Sequence, residues 1–327
     1  MNTVGLIFRE MGVKILLEIL KIKQKKRRNR MKKFIKLGIW IGLCFILLIG
    51  LTGCAKPQKE YSYRVVTSFY PMYVIALNLC DGIEDVQVQN MTDTAVGCLH
   101  DYTLKTKDLR KIEKANMFVM NGAGVENFMD KITQNRTDLA ISDTSKADLY
   151  WIKDGDEING HVWNNTNNYL KQIEQIKNDL VANDPAHREQ YEANAEKYSD
   201  KIRDLEKQRY EVTKETYVVS CNEALAYLLD DVELKIVPVY TEHEESTLSG
   251  SALTDVIQQV KDKNIRAIFV DKNDNQTNAK LIAKETGAQI YTLDSGVTGD
   301  KKNKDDKDAY INTMKENYQL LKNIFQK

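Results

Sequence analysis

Asp184-Pro185-Ala186-His187-Arg188-Glu189-Gln190-Tyr191 sets the architecture of this chain, because it opens a helix in the middle of an otherwise alternating pattern. Aspartate is a favoured N-cap, and proline suits the first helical position, where its missing N–H costs nothing. Tyr191, Asn194, Ala195, Tyr198, Ile202 and Leu205 then recur at helical spacing, and neither Gly nor Pro occurs between Ala186 and Leu234. The spacing predicts a long helix running to about Tyr210. A stiff helix here holds its two flanks at a fixed separation, which a Gly/Ser linker would not do. His187, in its first turn, reads as a surface residue.

On both sides of this helix, short apolar runs alternate with amphipathic stretches in a βα rhythm. Before it, strands are expected near 63–68, 85–91, 117–121 and 139–143, with helices near 71–80, 106–115 and 126–133. After it, strands are expected near 217–220, 235–239, 267–271 and 289–293, with helices near 223–229, 249–261 and 276–286. The fold class expected is α/β: two βα lobes, each with a mostly parallel sheet, joined by a long rigid helix. The charged stretch Asp300 to Asp308 reads as a solvated loop.

The first fifty or so residues belong to neither lobe. Met31-Lys32-Lys33-Phe34-Ile35-Lys36 is a short basic region, Leu37 to Gly50 is apolar, and Leu51-Thr52-Gly53-Cys54 closes the run with small residues before a cysteine. This resembles a bacterial lipoprotein signal, with Cys54 as the lipidated first residue of the mature protein. The apolar run is shorter than the roughly 20 residues a spanning helix needs. Residues 1–30 add a basic cluster that such a signal does not require, so translation is expected to start at Met31. The organisation expected is an extension and signal at 1–53, a lipidated tether at 54–61, an N-terminal lobe at 62–183, a linking helix at 184–212 and a C-terminal lobe at 213–327.

The whole chain carries 47 basic and 47 acidic side chains, but residues 1–53 hold 12 of the former and 2 of the latter. What remains has a net charge of about −10, which disfavours nucleic acid and concentrates cations around the surface. Of five cysteines, only Cys80, Cys98 and Cys221 fall in the expected lobes. An odd number makes no disulfide framework, and small buried thiols are the simpler expectation.

Only four histidines occur in the chain. His100, in Cys98-Leu99-His100-Asp101-Tyr102, lies just past the second expected strand. His161, in Gly160-His161-Val162-Trp163, immediately precedes a long helical pattern. Asp294 ends the last strand, Tyr291-Thr292-Leu293, and Asn222 follows the strand that leads the second set. Open parallel sheets bind ligands beyond the carboxyl ends of their strands. Imidazole and carboxylate donors meeting there from two lobes suit a borderline divalent ion such as zinc or manganese.

Residues 62–327 resemble the zinc/manganese solute-binding lipoproteins of ABC importers. The likeness is carried by Thr67-Ser68-Phe69-Tyr70-Pro71-Met72-Tyr73, by the runs around His100 and His161, by Asn121-Gly122-Ala123-Gly124-Val125-Glu126 and by Tyr291-Thr292-Leu293-Asp294. The resemblance implies that His100, His161 and Asp294 ligate a divalent ion, Zn2+ or Mn2+, as transported cargo. It also implies a permease and its ATPase as partners, and a monomer held by its lipid at the extracytoplasmic face of the bacterial cell membrane. No covalent chemistry is implied.

One position departs from the pattern. Where the family carries a third histidine, this chain reads Asn222-Glu223-Ala224-Leu225-Ala226-Tyr227. Either Asn222 ligates through its amide oxygen, favouring oxygen-tolerant ions such as manganese, or Cys221, Glu223 or His243 substitutes, or the site is weakened or lost. Cys221 has the handicap that neighbours along a strand point to opposite faces. A degraded site would make the chain a surface adhesin or a receptor for another ligand. A metal-dependent hydrolase is a further rival, but the chain lacks His-Glu-x-x-His, Gly-x-Ser-x-Gly and a phosphate-cradling Gly-rich loop.

Overall fold

A computed structural model of the chain describes residues 60–94, 99, 102–155, 157–240 and 247–326, with scattered helical residues between 21 and 40. His100, His243, Cys54 and Cys98 lie outside the described residues. Contacts divide the chain into Met1–Glu60 and Tyr61–Lys327. Among the described residues, no helix is long and apolar enough to cross a membrane.

The second unit contains two parallel sheets. The first uses β1 (Tyr63–Thr67), α1 (Tyr70–Leu79), β2 (Val86–Asn90), α2 (Thr106–Glu113), β3 (Met117–Met120), α3 (Asp130–Asn135) and β4 (Ala140–Asp143). A short antiparallel hairpin, β5 (Lys153–Asp154) and β6 (Glu157–Ile158), precedes two long helices, α4 (Thr166–Asn183) and α5 (Arg188–Glu206). The second sheet uses β7 (Thr216–Ser220), α6 (Ala226–Asp231), β8 (Leu234–Pro238), α7 (Gly250–Asp262), β9 (Ala267–Asp271), α8 (Thr277–Thr286) and β10 (Gln289–Leu293), and α9 (Ala309–Phe325) closes the chain.

The sheets run β2-β1-β3-β4 and β8-β7-β9-β10, so both halves have the same strand order. In each, the connections leave to opposite sides of the first strand, which opens a crevice beyond the carboxyl ends of the two central strands. The central strands are continuous apolar runs because helices cover both faces; all five residues of β9 are buried. One core joins the halves, with Val65, Phe69, Trp163, Leu225, Phe269 and Tyr310 among its members.

The predicted stripe is realised in α5, where Tyr191, Ala195, Tyr198, Ile202 and Leu205 are buried. Its start differs from the expectation. Pro185 opens a 3₁₀ turn over Pro185–His187, and Asp184 makes no side-chain cap. Its carboxylate instead accepts from Tyr191 Oη at 2.7 Å and lies 2.7 Å from His187 Nδ1. His187 Nε2 reaches Asp85 at 3.1 Å, so this histidine is not a free surface residue: it bridges two carboxylates and its side chain is only 14% exposed.

The halves are tied together in three places. Asp231, at the end of α6, accepts from Asn165 Nδ2 at 2.8 Å, Arg209 at 2.9 Å and Tyr318 Oη at 3.0 Å, and Asn165 is also the N-cap of α4. Tyr310 of α9 stacks on Tyr169 of α4 at 3.6 Å between ring centres, and Tyr169 Oη meets Tyr198 Oη of α5 at 3.0 Å. The third tie corrects the expectation of a solvated loop at Asp300–Asp308. Its side chains are mostly exposed, yet Asp305 accepts from Tyr73 Oη at 2.7 Å, the Lys307 carbonyl accepts from Asn78 at 2.8 Å, and Lys307 pairs with Asp81. This segment is a strap across α1.

Candidate metal site

The crevice is organised from the N-terminal half by a buried carboxylate. Glu126 accepts from Ser68 Oγ at 2.7 Å, just past β1, and from the Asn121 and Gly122 amides at 2.8 and 2.9 Å, just past β3. Burial pushes Glu126 up to about 7, against the pull of these three donors. The turn it holds supports the next segment, because Asn121 Nδ2 donates to the Gly160 carbonyl at 2.9 Å. Gly160 has no room for a side chain: a Cβ there would lie 2.7 Å from Val125 Cγ2 and 2.9 Å from the Ala123 oxygen.

His161 follows, 2% exposed. Asn159 fixes its protonation pattern. The Asn159 amide nitrogen donates to the Glu223 carbonyl at 2.9 Å, so its oxygen faces the histidine. That oxygen accepts the His161 backbone N–H at 2.9 Å and lies 2.9 Å from Nδ1. Nδ1 is therefore the protonated nitrogen of the neutral ring, and Nε2 keeps the lone pair that a metal ion needs. The Glu223 carboxylate stands 3.9 Å from Nδ1.

The same segment touches both loop ends of the opposite sheet. Asn164 Nδ2 donates to the Ala224 carbonyl and Trp163 Nε1 to the Ser295 carbonyl, each at 2.9 Å. Two sequence-predicted residues, Asn222 and Asp294, flank these contacts. The Asn222 oxygen accepts the Ala224 N–H at 2.8 Å, and its amide nitrogen donates to Asp274 at 2.9 Å. One lone pair of the oxygen remains beyond that cap. Burial raises Asp274, and the Asn222 hydrogen bond opposes it.

The Asp294 backbone is clamped by Asn317, which accepts its N–H at 3.0 Å and donates to its carbonyl at 2.8 Å. Its carboxylate accepts the Gly296 N–H at 2.8 Å on one oxygen and meets Lys272 Nζ at 2.6 Å on the other.

Cys221 packs against the second core, and burial pushes its thiol up to about 12, so it does not offer a thiolate near neutral pH. Cys80 is buried, and both described cysteines are free. Among the described residues, no three His, Cys, Asp or Glu side chains are grouped to hold an ion; the structure unites His161 with Glu223 and sets Asn222 and Asp294 beside the His161 segment. Asn159 and Lys272 escaped the sequence reading, and Glu126 entered it only as the last residue of a matching run. The only available signal was proximity: Asn159 precedes His161 by two residues, and Lys272 follows the apolar run of β9.

A family profile described as "Zinc-uptake complex component A periplasmic" matches residues 65–324. The chain is 28% identical over 302 residues to the manganese-binding lipoprotein MntA of Halalkalibacterium halodurans, covering 84% of this chain and 96% of that protein. It is 25% identical over 312 residues to the high-affinity zinc uptake system protein ZnuA of Bacillus subtilis, covering 86% and 97%. The structure of FpvC from Pseudomonas aeruginosa in complex with Mn2+ shares its fold, with a TM-score of 0.71, 20% identity and coverage of 82% of this chain and 99% of that one.

Proposed function

Because the chain belongs to the zinc-uptake complex component A family, we propose that it captures one zinc or manganese ion between its two halves and delivers it to an ABC importer. The carrying observation is His161: a buried imidazole whose Nδ1 faces the Asn159 amide oxygen at 2.9 Å, in a segment hydrogen-bonded to both loop ends of the other half. In this reading His100, His161 and Asp294 are the principal donors, and Asn222 adds the free lone pair of its oxygen. That set mixes two imidazoles with oxygen atoms, which suits manganese at least as well as zinc.

Cys54 carries the lipid that keeps the protein at the extracytoplasmic face of the membrane beside its permease and ATPase, and the receptor acts as a monomer. Acyl chains contribute about 0.8 kcal/mol per buried methylene, so more than one is needed for stable anchoring. With a continuous core and a helical strut between the halves, capture needs only small rotations of the donors, and release follows when the permease disturbs them.

Equilibrium dialysis of residues 55–327 against Mn2+ and Zn2+ tests the proposal. The expected result is about one ion per chain, lost in His161→Ala and in His100→Ala. Failure of the wild type to retain either ion would overturn it.

A further inference from the structure

Among the described residues, Lys272 is the one cation seated on a proposed ligand. Its backbone N–H donates to the Leu293 carbonyl at 2.9 Å, which fixes it beside the end of β10. Its ammonium then reaches Asp294 Oδ2 at 2.6 Å. The other Asp294 oxygen is taken by the Gly296 N–H. Both oxygens are thus engaged, one by a backbone group that can share the carboxylate with an ion and one by a full positive charge that cannot.

We infer that Lys272 is a built-in competitor cation, which neutralises Asp294 when the site is empty and has to be displaced by the arriving ion. The inference rests on the function proposed above and names the residue that tunes it. The displacement is feasible: the side chain of Lys272 is 36% exposed and that of Asp294 24%, so the ammonium can swing into water while the Asn317 clamp keeps the Asp294 backbone in place.

The consequence is selectivity as well as weaker binding. An ion that gains only from charge, such as Mg2+ or Ca2+, exchanges one cation for another at a carboxylate and recovers little. An ion that also bonds imidazole recovers the loss through His161. Lys272 is a specificity-determining residue in this account and touches the ion in neither state.

The test compares wild type, Lys272→Gln and Lys272→Arg in residues 55–327, by competition titration with a chromophoric chelator for Mn2+ and by direct titration with Ca2+. A partly exposed pair of this kind supports an expectation of about two- to five-fold tighter Mn2+ binding in Lys272→Gln, with slower dissociation. Ca2+ binding should gain at least as much, and Lys272→Arg should stay at the wild-type value. A merely structural role would weaken binding or lower the melting temperature, not tighten the ion. Equal or weaker Mn2+ affinity in a folded Lys272→Gln overturns the inference while leaving wild-type capture intact. Absence of ion from both wild type and Lys272→Gln overturns the proposed function and this inference together.

Discussion

Replacing Asp231 by alanine removes the carboxylate on which Asn165, Arg209 and Tyr318 converge. The loss has two parts. Arg209, whose side chain is 20% exposed, is left with Glu206 at 4.0 Å and Glu211 at 2.9 Å, and the Asn165 amide and Tyr318 hydroxyl lose an acceptor inside the protein. Breaking a buried pair from one side costs about 3–5 kcal/mol; the partial exposure of Arg209 and its two remaining carboxylates place this case at the lower end, about 3 kcal/mol. Burial already pushes the Asp231 carboxyl up, with the Arg209 charge opposing it, so the pair persists on its fit and not on charge alone. For a unit of this size the loss corresponds to a fall of about 6–12 °C in melting temperature. Calorimetry on Asp231→Ala, Arg209→Met and the double variant measures it. The double variant should lose at least about 1 kcal/mol less than the sum of the singles, because the orphaned guanidinium is gone. Additive losses, or an Asp231→Ala protein within about 0.5 kcal/mol of wild type, would refute the reasoning.

Other expectations follow from the site and its supports. Asn159→Ala frees the His161 ring to adopt the other tautomer and should weaken metal binding about 10- to 100-fold without changing stoichiometry, as read by competition titration. The hydrogen bond to Asp184, opposed by burial and helped by the Asp184 and Asp85 charges, raises His187 above its usual value. Its folded-state value is the higher one, so its contribution to stability is complete below the ordinary histidine value of about 6.5 and is lost as pH rises through the folded value. The wild-type melting temperature should therefore fall by more than that of His187→Gln as pH rises above about 6.5.

Much of the fold was legible because parallel strands buried on both faces leave contiguous apolar runs, and because the stripe of α5 keeps one period over about four turns. The hairpin β5–β6 was not, since two-residue strands of charged composition carry no period. The strap was misread for a related reason. Its residues Asp300 to Asp308 are charged and mostly exposed, as a solvated loop would be, and what distinguishes them is a set of partners on α1 more than two hundred residues away. His161 and Asp294 were singled out as candidates from their expected places at element ends, and they do lie there. The Lys272 ammonium on Asp294 and the cap made by Asn222 depend on side-chain direction, which the order of residues does not encode.

The stacking of Tyr310 on Tyr169, and the grip of the strap on α1, set the order in which the molecule can be completed. Tyr73 and Asp305 are separated by 232 residues, so the portion synthesised early lacks one of its walls until nearly all of the polypeptide has appeared. Shorter nascent chains leave an aromatic ring bare and a helix uncovered, and the earliest-made sheet matures only with the last. Contacts of such long range slow folding, so the pace at which the first half becomes compact is set by the last residues of the chain to join it.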